Sequence, residues 1–367
     1  MNRRELLVSA GLTGLGLAAG TLPGRAVAAG RGSRRGWTVT PVDAGEAHLE
    51  DVASTRGSTW AVGVALLDGF QETRPLAVRH TGGGWQVTPT PVDTHAALTA
   101  VAVAAADDVW AVGVDHGDGT DRPLVLRRDG ADWRRIEAPD VPAGAFADVV
   151  AAPDGSVWAA GWASVDGAER AVVHRYAEGE WQLLGDGLEE AINGNALLIG
   201  SDGQAWLALN PGLARFDDSS WTMVEDFPAD GSEILTGLAE DGSGGIWAVG
   251  VAHTGAGERP LAVGYDGESW QPVETPDEPG QLYDIAIAGS RPVAVGERFV
   301  EQPGGDLLFE PYLLEVRDGA FVPADPPAVP EGSTGVLTGV VADRSRLWAV
   351  GAVDQQALAA RRVIAPR

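Results

Sequence analysis

The sequence predicts an all-β protein, a seven-bladed β-propeller whose ring is closed by the N-terminal strand pairing with the C-terminal blade. The main observation is a unit of four short β-type runs separated by turn residues, seen from Leu98 to Pro139. The second run of this unit carries the element Trp-Ala-Val-Gly. Seven copies of it occur, two of them degenerate, at residues 60–63, 110–113, 158–161, 206–209, 247–250, 293–296 and 348–351.

The two ends of the chain supply the second observation. The run Trp37-Thr38-Val39-Thr40-Pro41 matches the last run of the repeat, yet no other three runs precede it. At the other end, the runs at 337–341, 348–351 and 357–363 lack a fourth partner. Because the two deficits are complementary, we expect the N-terminal strand to complete the last blade and leave no open edge.

Each run of the repeat has a composition that suits its place. The first run is small and apolar, as in Val101-Ala102-Val103-Ala104, which is typical of an inner strand covered on both faces. The tryptophan of the second run supplies the large apolar surface needed between blades. Asp-Gly pairs such as Asp318-Gly319 indicate tight hairpins, and the Arg-Pro pairs place proline at a strand start.

The composition excludes some classes of partner and of chemistry. The chain has 367 residues, 26 basic and 52 acidic, with a net charge of −26, and every basic residue is arginine. A body this acidic repels phosphate, so we expect neither nucleic acid nor an anionic membrane surface as a partner. There is no cysteine, which excludes disulfides, thiol catalysis and thiolate metal sites.

The N-terminal residues predict export. Arg3-Arg4 precede an apolar run, and Ala26-Val27-Ala28 is a small-residue cleavage pattern. This pattern resembles a twin-arginine signal peptide, with a Sec-type signal as the alternative. We therefore expect a signal peptide at 1–28, a flexible segment at 29–36, and the propeller at 37–367. No other stretch approaches the roughly 20 apolar residues of a membrane span, so we expect a secreted, extracellular protein without one, and a monomer.

The repeat resembles those of secreted bacterial propellers of the kelch and Asp-box kinds. The resemblance to kelch rests on the glycine that ends the second strand and on the turn before a fourth-strand tryptophan. The chain has one glycine there, Gly113, where kelch blades have a pair, and its Asp-Gly segments at 201–206 and 265–270 are one residue shorter than an Asp-box. The resemblance implies the propeller fold but not a function, since propellers include lectins, hydrolases, lyases and scaffolds.

The mouth of the central channel is the predicted site. Inner strands converge on the axis, so equivalent residues of different blades approach one another there. Three blades carry aspartate at one register, and oxygen ligands of this kind could hold Ca²⁺, although an aspartate before a strand also closes turns by binding its own backbone. The candidate ligand-binding residues are Glu50, Asp51, Asp148, Tyr283 and Asp284, with His48 and His95 as neighbours.

The upper face, which carries the second-to-third-strand loops and the blade-to-blade connections, is a second candidate surface because its loops vary most, from 210–212 to 297–310. No Gly-x-Ser-x-Gly elbow and no His-x-x-x-His pair is present. We therefore interpret the protein as a binding module for a protein or glycan ligand. The alternative is a carbohydrate-active hydrolase or lyase that uses carboxylates at the channel mouth.

Overall fold

The structure, a computed structural model, describes residues 36–364 except 56, 68–71, 94, 218 and 229–230. These residues form 28 strands in seven four-stranded antiparallel sheets, which confirms the predicted seven-bladed propeller. The predicted signal peptide lies outside the described residues. Among the described residues, no helix has the length and apolar character to cross a bilayer.

Six blades are each built from four strands that follow one another along the chain, inner strand first. The first three blades contain β2 (Ala47–Thr55), β3 (Ser58–Leu67), β4 (Glu72–Thr81), β5 (Gly84–Thr88), β6 (Ala96–Ala105), β7 (Asp108–Asp115), β8 (Arg122–Asp129), β9 (Trp133–Arg135), β10 (Gly144–Ala151), β11 (Val157–Val165), β12 (Ala168–Ala177) and β13 (Glu180–Leu183). Blades 4 to 6 contain β14 (Asn193–Ile199), β15 (Ala205–Asn210), β16 (Leu213–Phe216), β17 (Trp221–Met223), β18 (Glu233–Glu240), β19 (Ile246–Thr254), β20 (Gly257–Tyr265), β21 (Trp270–Pro272), β22 (Gly280–Ala288), β23 (Arg291–Glu301), β24 (Leu307–Arg317) and β25 (Ala320–Pro323).

Blade 7 joins the two ends of the chain. Its inner three strands are β26 (Gly335–Ala342), β27 (Arg346–Val353) and β28 (Gln356–Val363), and its outer strand is β1 (Thr38–Val39). Thr38 pairs with Arg361 in an antiparallel ladder, which confirms the predicted closure of the ring. The indole N–H of Trp37 also donates to the carbonyl oxygen of Asp325 in blade 6 at 2.9 Å.

Tryptophans fill the space between blades, as their repeat predicts. Trp60 of blade 1 is fully buried, and its ring meets Trp133 of blade 2 edge to face at 5.5 Å. Trp348 of blade 7 meets Trp85 of blade 1 in the same way at 5.7 Å. The closing junction is therefore packed like an interior one.

The glycine after each tryptophan element has a steric cause. A Cβ at Gly113 would overlap the carbonyl oxygen of Ala97 on the inner strand, and five other blades repeat this arrangement. In blade 4 the pair is exchanged, with Leu209 on the second strand facing Gly194 on the inner strand. One member of the pair must be small because the inner strand bends at this point.

The bend is a β-bulge present in all seven inner strands at one register. One residue is inserted between two paired residues, which increases the local twist and turns the following side chain toward the next blade. The inserted residues are Glu50, Thr99, Ala147, Asn195, Thr236, Tyr283 and Thr338.

Candidate functional site

The predicted channel-mouth residues lie at these bulges. Glu50 and Tyr283 are inserted residues, and Asp51, Asp148 and Asp284 each follow an inserted residue. The structure therefore places five of the seven predicted residues at one level of the channel. What they do there follows from their hydrogen bonds.

Each aspartate ties its own blade to the next. The Oδ1 atom of Asp51 accepts from the N–H of Val52 at 2.6 Å, and Oδ2 accepts from the N–H of Val101 in blade 2 at 2.8 Å. Asp148 and Asp284 repeat the pattern into blades 4 and 7, accepting from the N–H groups of Val149, Leu197, Ile285 and Val340 at 2.6–2.7 Å. The expectation that each aspartate bonds its own backbone describes half of its role.

The other four blades use a donor instead of an acceptor. The hydroxyl of Thr99 donates to the carbonyl oxygen of Phe146 in blade 3 at 2.8 Å. Thr236, Thr338 and Asn195 make the equivalent bonds, to Leu282, Leu49 and Leu235 respectively, at 2.7–2.8 Å. The seven residues that tie successive blades, here called the axial belt, are Asp51, Thr99, Asp148, Asn195, Thr236, Asp284 and Thr338.

The aspartates of the axial belt have raised pKa values. All three are half-buried, because the channel reaches them, but protein surrounds each carboxylate. Burial raises the pKa of Asp51 to about 7 and that of Asp148 to about 6, although backbone N–H groups oppose the shift. Burial raises the pKa of Asp284 well above its usual range, and the charges of Asp51 and Asp148 add to this. The charge of Asp148 therefore contributes to the raised pKa values of both Asp51 and Asp284.

The arrangement of the axial belt was compared with that of a metal-binding cluster. Among the described residues, no group of three or more histidine, aspartate or glutamate side chains is arranged to hold a metal ion. Both oxygens of Asp51, Asp148 and Asp284 already accept from backbone N–H groups. The Ca²⁺ hypothesis therefore gains no support from this part of the chain.

A second polar group surrounds Tyr283. Its hydroxyl donates to Oε1 of Glu297 at 2.8 Å, and the Gln281 amide donates to both partners at 2.6 and 2.7 Å. Glu297 is 1% exposed, and its Oε2 atom has no hydrogen-bond partner. Burial raises the pKa of the Glu297 carboxyl and, together with the nearby Glu297 charge, raises that of the Tyr283 phenol well above its usual range.

The Glu297 carboxyl of this group is covered by protein, and its Oε1 atom already accepts from Tyr283 and Gln281. Glu50 lies near Tyr283, and burial followed by the Asp51 charge raises the pKa of Glu50 to about 7. The sequence does signal the interior position of Glu297, because it follows Gly296 where Val64, Val114 and Val251 follow the equivalent glycines.

The two predicted histidines occupy different environments. His48 is 1% exposed within β2, whereas His95 is exposed and precedes β6 with a left-handed backbone φ of 54°. Only the backbone oxygen of His95 has a described partner, the N–H of His116 at 2.6 Å. The two imidazoles therefore differ in their access to solvent.

The arginines of the Arg-Pro pairs are held by the upper face itself. Arg74 and Arg122 donate to the carbonyl oxygens of Asp93 and Val141, and Arg259 donates to the carboxylate of Asp277. Each acceptor lies in the connection to the next blade. The repeated arginines therefore connect the third strands to the blade-to-blade connections.

The upper face of blade 6 is different from the rest of the ring. Its strands β23 and β24 have 11 residues each, the longest among the described residues, and they form a hairpin. Leu307 at the tip is 58% exposed, and Phe299 and Phe309 meet edge to face at 5.4 Å. None of the hydrophobic clusters among the described residues contains Leu307 or this ring pair.

Comparison with known proteins shows the fold alone. No model of a known protein family matches the sequence, and no curated protein matches it. Among solved structures, YCF48 bound to a D1 peptide is similar with a TM-score of 0.61 and 15% identity, over 92% of this chain and 99% of that one. The WD40 propeller domain of Doa1 gives 0.56 and 12%, over 90% and 98%. The polysaccharide lyase Uly1 gives 0.52 and 12%, over 95% and 94%.

Proposed function

We propose that this protein is an exported binding module that recognises a protein ligand with the upper face of blade 6. The observation that carries the proposal is the β23–β24 hairpin, which presents Phe299, Leu307 and Phe309 outside every described hydrophobic cluster. Exposed apolar groups surrounded by polar residues mark interaction surfaces. The proposal of export rests on the twin-arginine pattern at Arg3-Arg4 and the cleavage pattern at 26–28.

The net charge of the chain indicates which class of ligand is favoured. Glu301, Asp306 and Glu310 surround the apolar tip, and the whole chain carries a net charge of −26. Complementary charge speeds encounter and excludes wrong partners, so a ligand with a basic surface is favoured. Two of the similar structures belong to a protein bound to a peptide and to a WD40 domain, which fits a binding role.

A carbohydrate-active enzyme is the second candidate, because a polysaccharide lyase shares the fold. An enzyme of this kind needs titratable groups that converge on the substrate and are not already occupied by hydrogen bonds within the protein. The axial carboxylates instead bind backbone N–H groups, and Glu297 is covered. This arrangement favours the binding module. Turnover of any polysaccharide by the purified protein would reverse the preference.

The test uses the native protein and two variants as baits to capture exported and envelope proteins of the source organism by cross-linking. The same three proteins are screened on a glycan array in parallel. The hairpin variant carries Phe299→Ser, Leu307→Ser and Phe309→Ser. The matched control removes three exposed apolar side chains from outer strands, Val87→Ser, Leu183→Ser and Met223→Ser. We expect the native protein and the control to enrich one protein at least about tenfold over the hairpin variant. Equal enrichment by all three, or glycan binding that the hairpin variant retains, would contradict the proposal.

A further inference from the structure

A cavity of about 490 Å³ lies beside the third strand of blade 6. One wall is the edge of β24 at residues 310–313, and the other is the connection to blade 7 at residues 323–333. This volume lies within the range of about 300–1,000 Å³ that is common for ligand pockets. The cavity is therefore large enough for a side chain of a bound peptide.

The fourth strand of blade 6 pairs with only one end of the third strand, as in the other blades. Strand β25 pairs only with residues 314–317, so the upper half of β24 has no fourth strand beside it. The connection that passes there contains Pro323, Pro326, Pro327 and Pro330. The N–H of Ala324 donates to the carbonyl oxygen of Leu313 at 2.9 Å. Proline has no N–H to offer to a strand edge, so the prolines that follow cannot extend this pairing along β24.

One of these prolines also removes a hydrogen bond that two other blades possess. In blades 1 and 5, the hydroxyls of Thr90 and Thr275 donate to the carbonyl oxygens of Pro75 and Pro260, at 3.4 and 2.8 Å. The equivalent carbonyl in blade 6 belongs to Pro311, and Pro326 stands where the threonine would be. Pro326 has no hydroxyl and cannot donate a hydrogen bond. The Pro311 carbonyl oxygen therefore lacks the side-chain hydrogen bond that the Pro75 and Pro260 carbonyl oxygens accept.

The polar lining of the cavity is rich in acceptors. Glu310, Asp325 and Glu331 contribute carboxylates, and the single cation of the described lining is Arg298. Arg298 already donates to Glu310 at 2.6 and 2.9 Å and to Glu278 at 3.3 Å. The Tyr312 hydroxyl has no hydrogen-bond partner. The phenol can donate or accept a hydrogen bond. Among the charged groups of the lining, three carboxylates therefore face one guanidinium.

A guanidinium group suits this lining in two respects. It is permanently charged and offers five N–H donors with no acceptor, which matches a surplus of carboxylate and carbonyl oxygens. Its flat face and its methylene stem also pack on apolar walls, which the prolines and Val329 supply here. A lysine ammonium is more strongly hydrated and packs less well in a cavity of this kind.

We propose that this cavity of blade 6 binds an arginine side chain of the protein ligand. The inference rests on the proposed function and deepens it, since the cavity is built from the same strand β24 that presents the apolar hairpin tip. The hairpin would contact the apolar part of the ligand, and the cavity would select a ligand that carries arginine nearby.

The probe is N-acetyl-arginine methylamide, with the citrulline analogue as its neutral counterpart of the same shape. Both are titrated into isotopically labelled full-length protein, and the backbone amide shifts are followed by NMR. We expect saturable shifts at Leu313, Ala324 and Ala328, with at least tenfold weaker binding of citrulline. The variant Ala328→Trp, an exposed position of the lining, should fill the cavity and abolish the shifts.

Two charge variants separate a specific site from general attraction to an acidic protein. The test pair is Asp325→Asn with Glu331→Gln. The control is Glu137→Gln with Asp140→Asn, in the connection of blade 2, and it removes the same charge. The positions are matched, since the carbonyl oxygens of Asp325 and Glu137 accept from Trp37 and Trp181 in the same way.

We expect the test pair to weaken arginine binding about tenfold and the control to leave it unchanged. Equal binding of citrulline, shifts outside the cavity, or the same loss in both charge variants would overturn the inference. A different experiment, the capture with the hairpin variant, decides the proposed function. If the hairpin variant captures the ligand protein as well as the native chain does, the role of the hairpin is refuted while the arginine titration still decides the fate of the cavity.

Discussion

The axial belt and the upper face of blade 6 contain the same kinds of polar group in opposite situations. In the axial belt, every side chain that reaches the next blade bonds a backbone group there, as Asp51 does with Val101 and Thr99 with Phe146. In blade 6, a carboxylate-lined cavity lies beside a half-buried pair of aromatic rings and the exposed Leu307. The difference shows that carboxylates near a propeller axis can be fully used by the fold, and that groups left unused are better evidence of function.

Within the axial belt, two kinds of hydrogen bond connect neighbouring blades. Aspartate accepts from an N–H of the next blade in three junctions, whereas threonine or asparagine donates to a carbonyl in four. Only the aspartates can change charge. The two kinds of tie should therefore differ in how much they stabilise the ring and in how they respond to pH.

The largest effect is expected from Asp284→Ala. The substitution leaves the N–H groups of Ile285 and Val340 without acceptors in a buried environment, and each such loss costs about 1–3 kcal/mol. We expect the free energy of unfolding to fall by about 2–4 kcal/mol in urea denaturation. The exposed Asp140→Ala should stay within about 0.5 kcal/mol of the native protein.

The same experiment decides between a structural tie and a cation site. If Asp284 serves the backbone alone, the loss is the same with and without Ca²⁺. A loss seen only in the presence of Ca²⁺, or no loss at all, would show that the carboxylate has another role.

The pH dependence distinguishes the aspartate ties from the threonine ties. The pKa of Asp51 rises from 3.8 to about 7 on folding, so between these values the folded state holds a proton that the unfolded state has lost. This contribution to stability is complete below about pH 4 and disappears as the pH rises through about 7. We therefore expect the stability advantage of the native protein over Asp51→Asn to narrow from pH 4 to pH 8. Parallel curves would contradict the raised pKa.

A smaller effect is expected from Thr99→Val, which keeps the shape of the side chain but removes the donor to Phe146. The free energy of unfolding should fall by about 1 kcal/mol, by the same amount at pH 5 and pH 8. Thr99→Ser keeps the hydroxyl and serves as the control. A loss as large as that of Asp284→Ala would mean that the two kinds of tie are equivalent.

The repeat was sufficient to predict the fold because its constraints are local and periodic. Tryptophan and glycine recur where blades pack and where the bulge requires a small residue. The missing strands at the two ends predicted that the N-terminal strand pairs with the C-terminal blade, and the structure shows this pairing at Thr38 and Arg361. The register of the aspartates was also visible. Their partners were not, because the bulge that turns Asp148 toward Leu197 leaves no mark in the sequence of a single blade.

The candidate site was harder to predict for a related reason. Glu297 could have been recognised as interior, since it replaces the valine of other blades, but its bonds to Tyr283 and Gln281 depend on the bulge. One feature of the blade 6 cavity is visible in the sequence only by comparison between blades, a proline at 326 in place of Thr90 and Thr275. Contacts between a strand and a connection far along the chain require the three-dimensional arrangement.

The most direct test of the account compares how two variants bind the captured ligand protein by titration calorimetry, at a temperature at which both are folded. Asp284→Ala changes the axial belt, and the variant Phe299→Ser with Leu307→Ser and Phe309→Ser changes the hairpin. We predict that the first binds within about twofold of the native Kd despite its lower stability, and that the second loses at least about tenfold, or about 1.4 kcal/mol, with its stability nearly unchanged. The reverse result, with binding lost in the belt variant and kept in the hairpin variant, would place the function at the channel mouth and contradict the account.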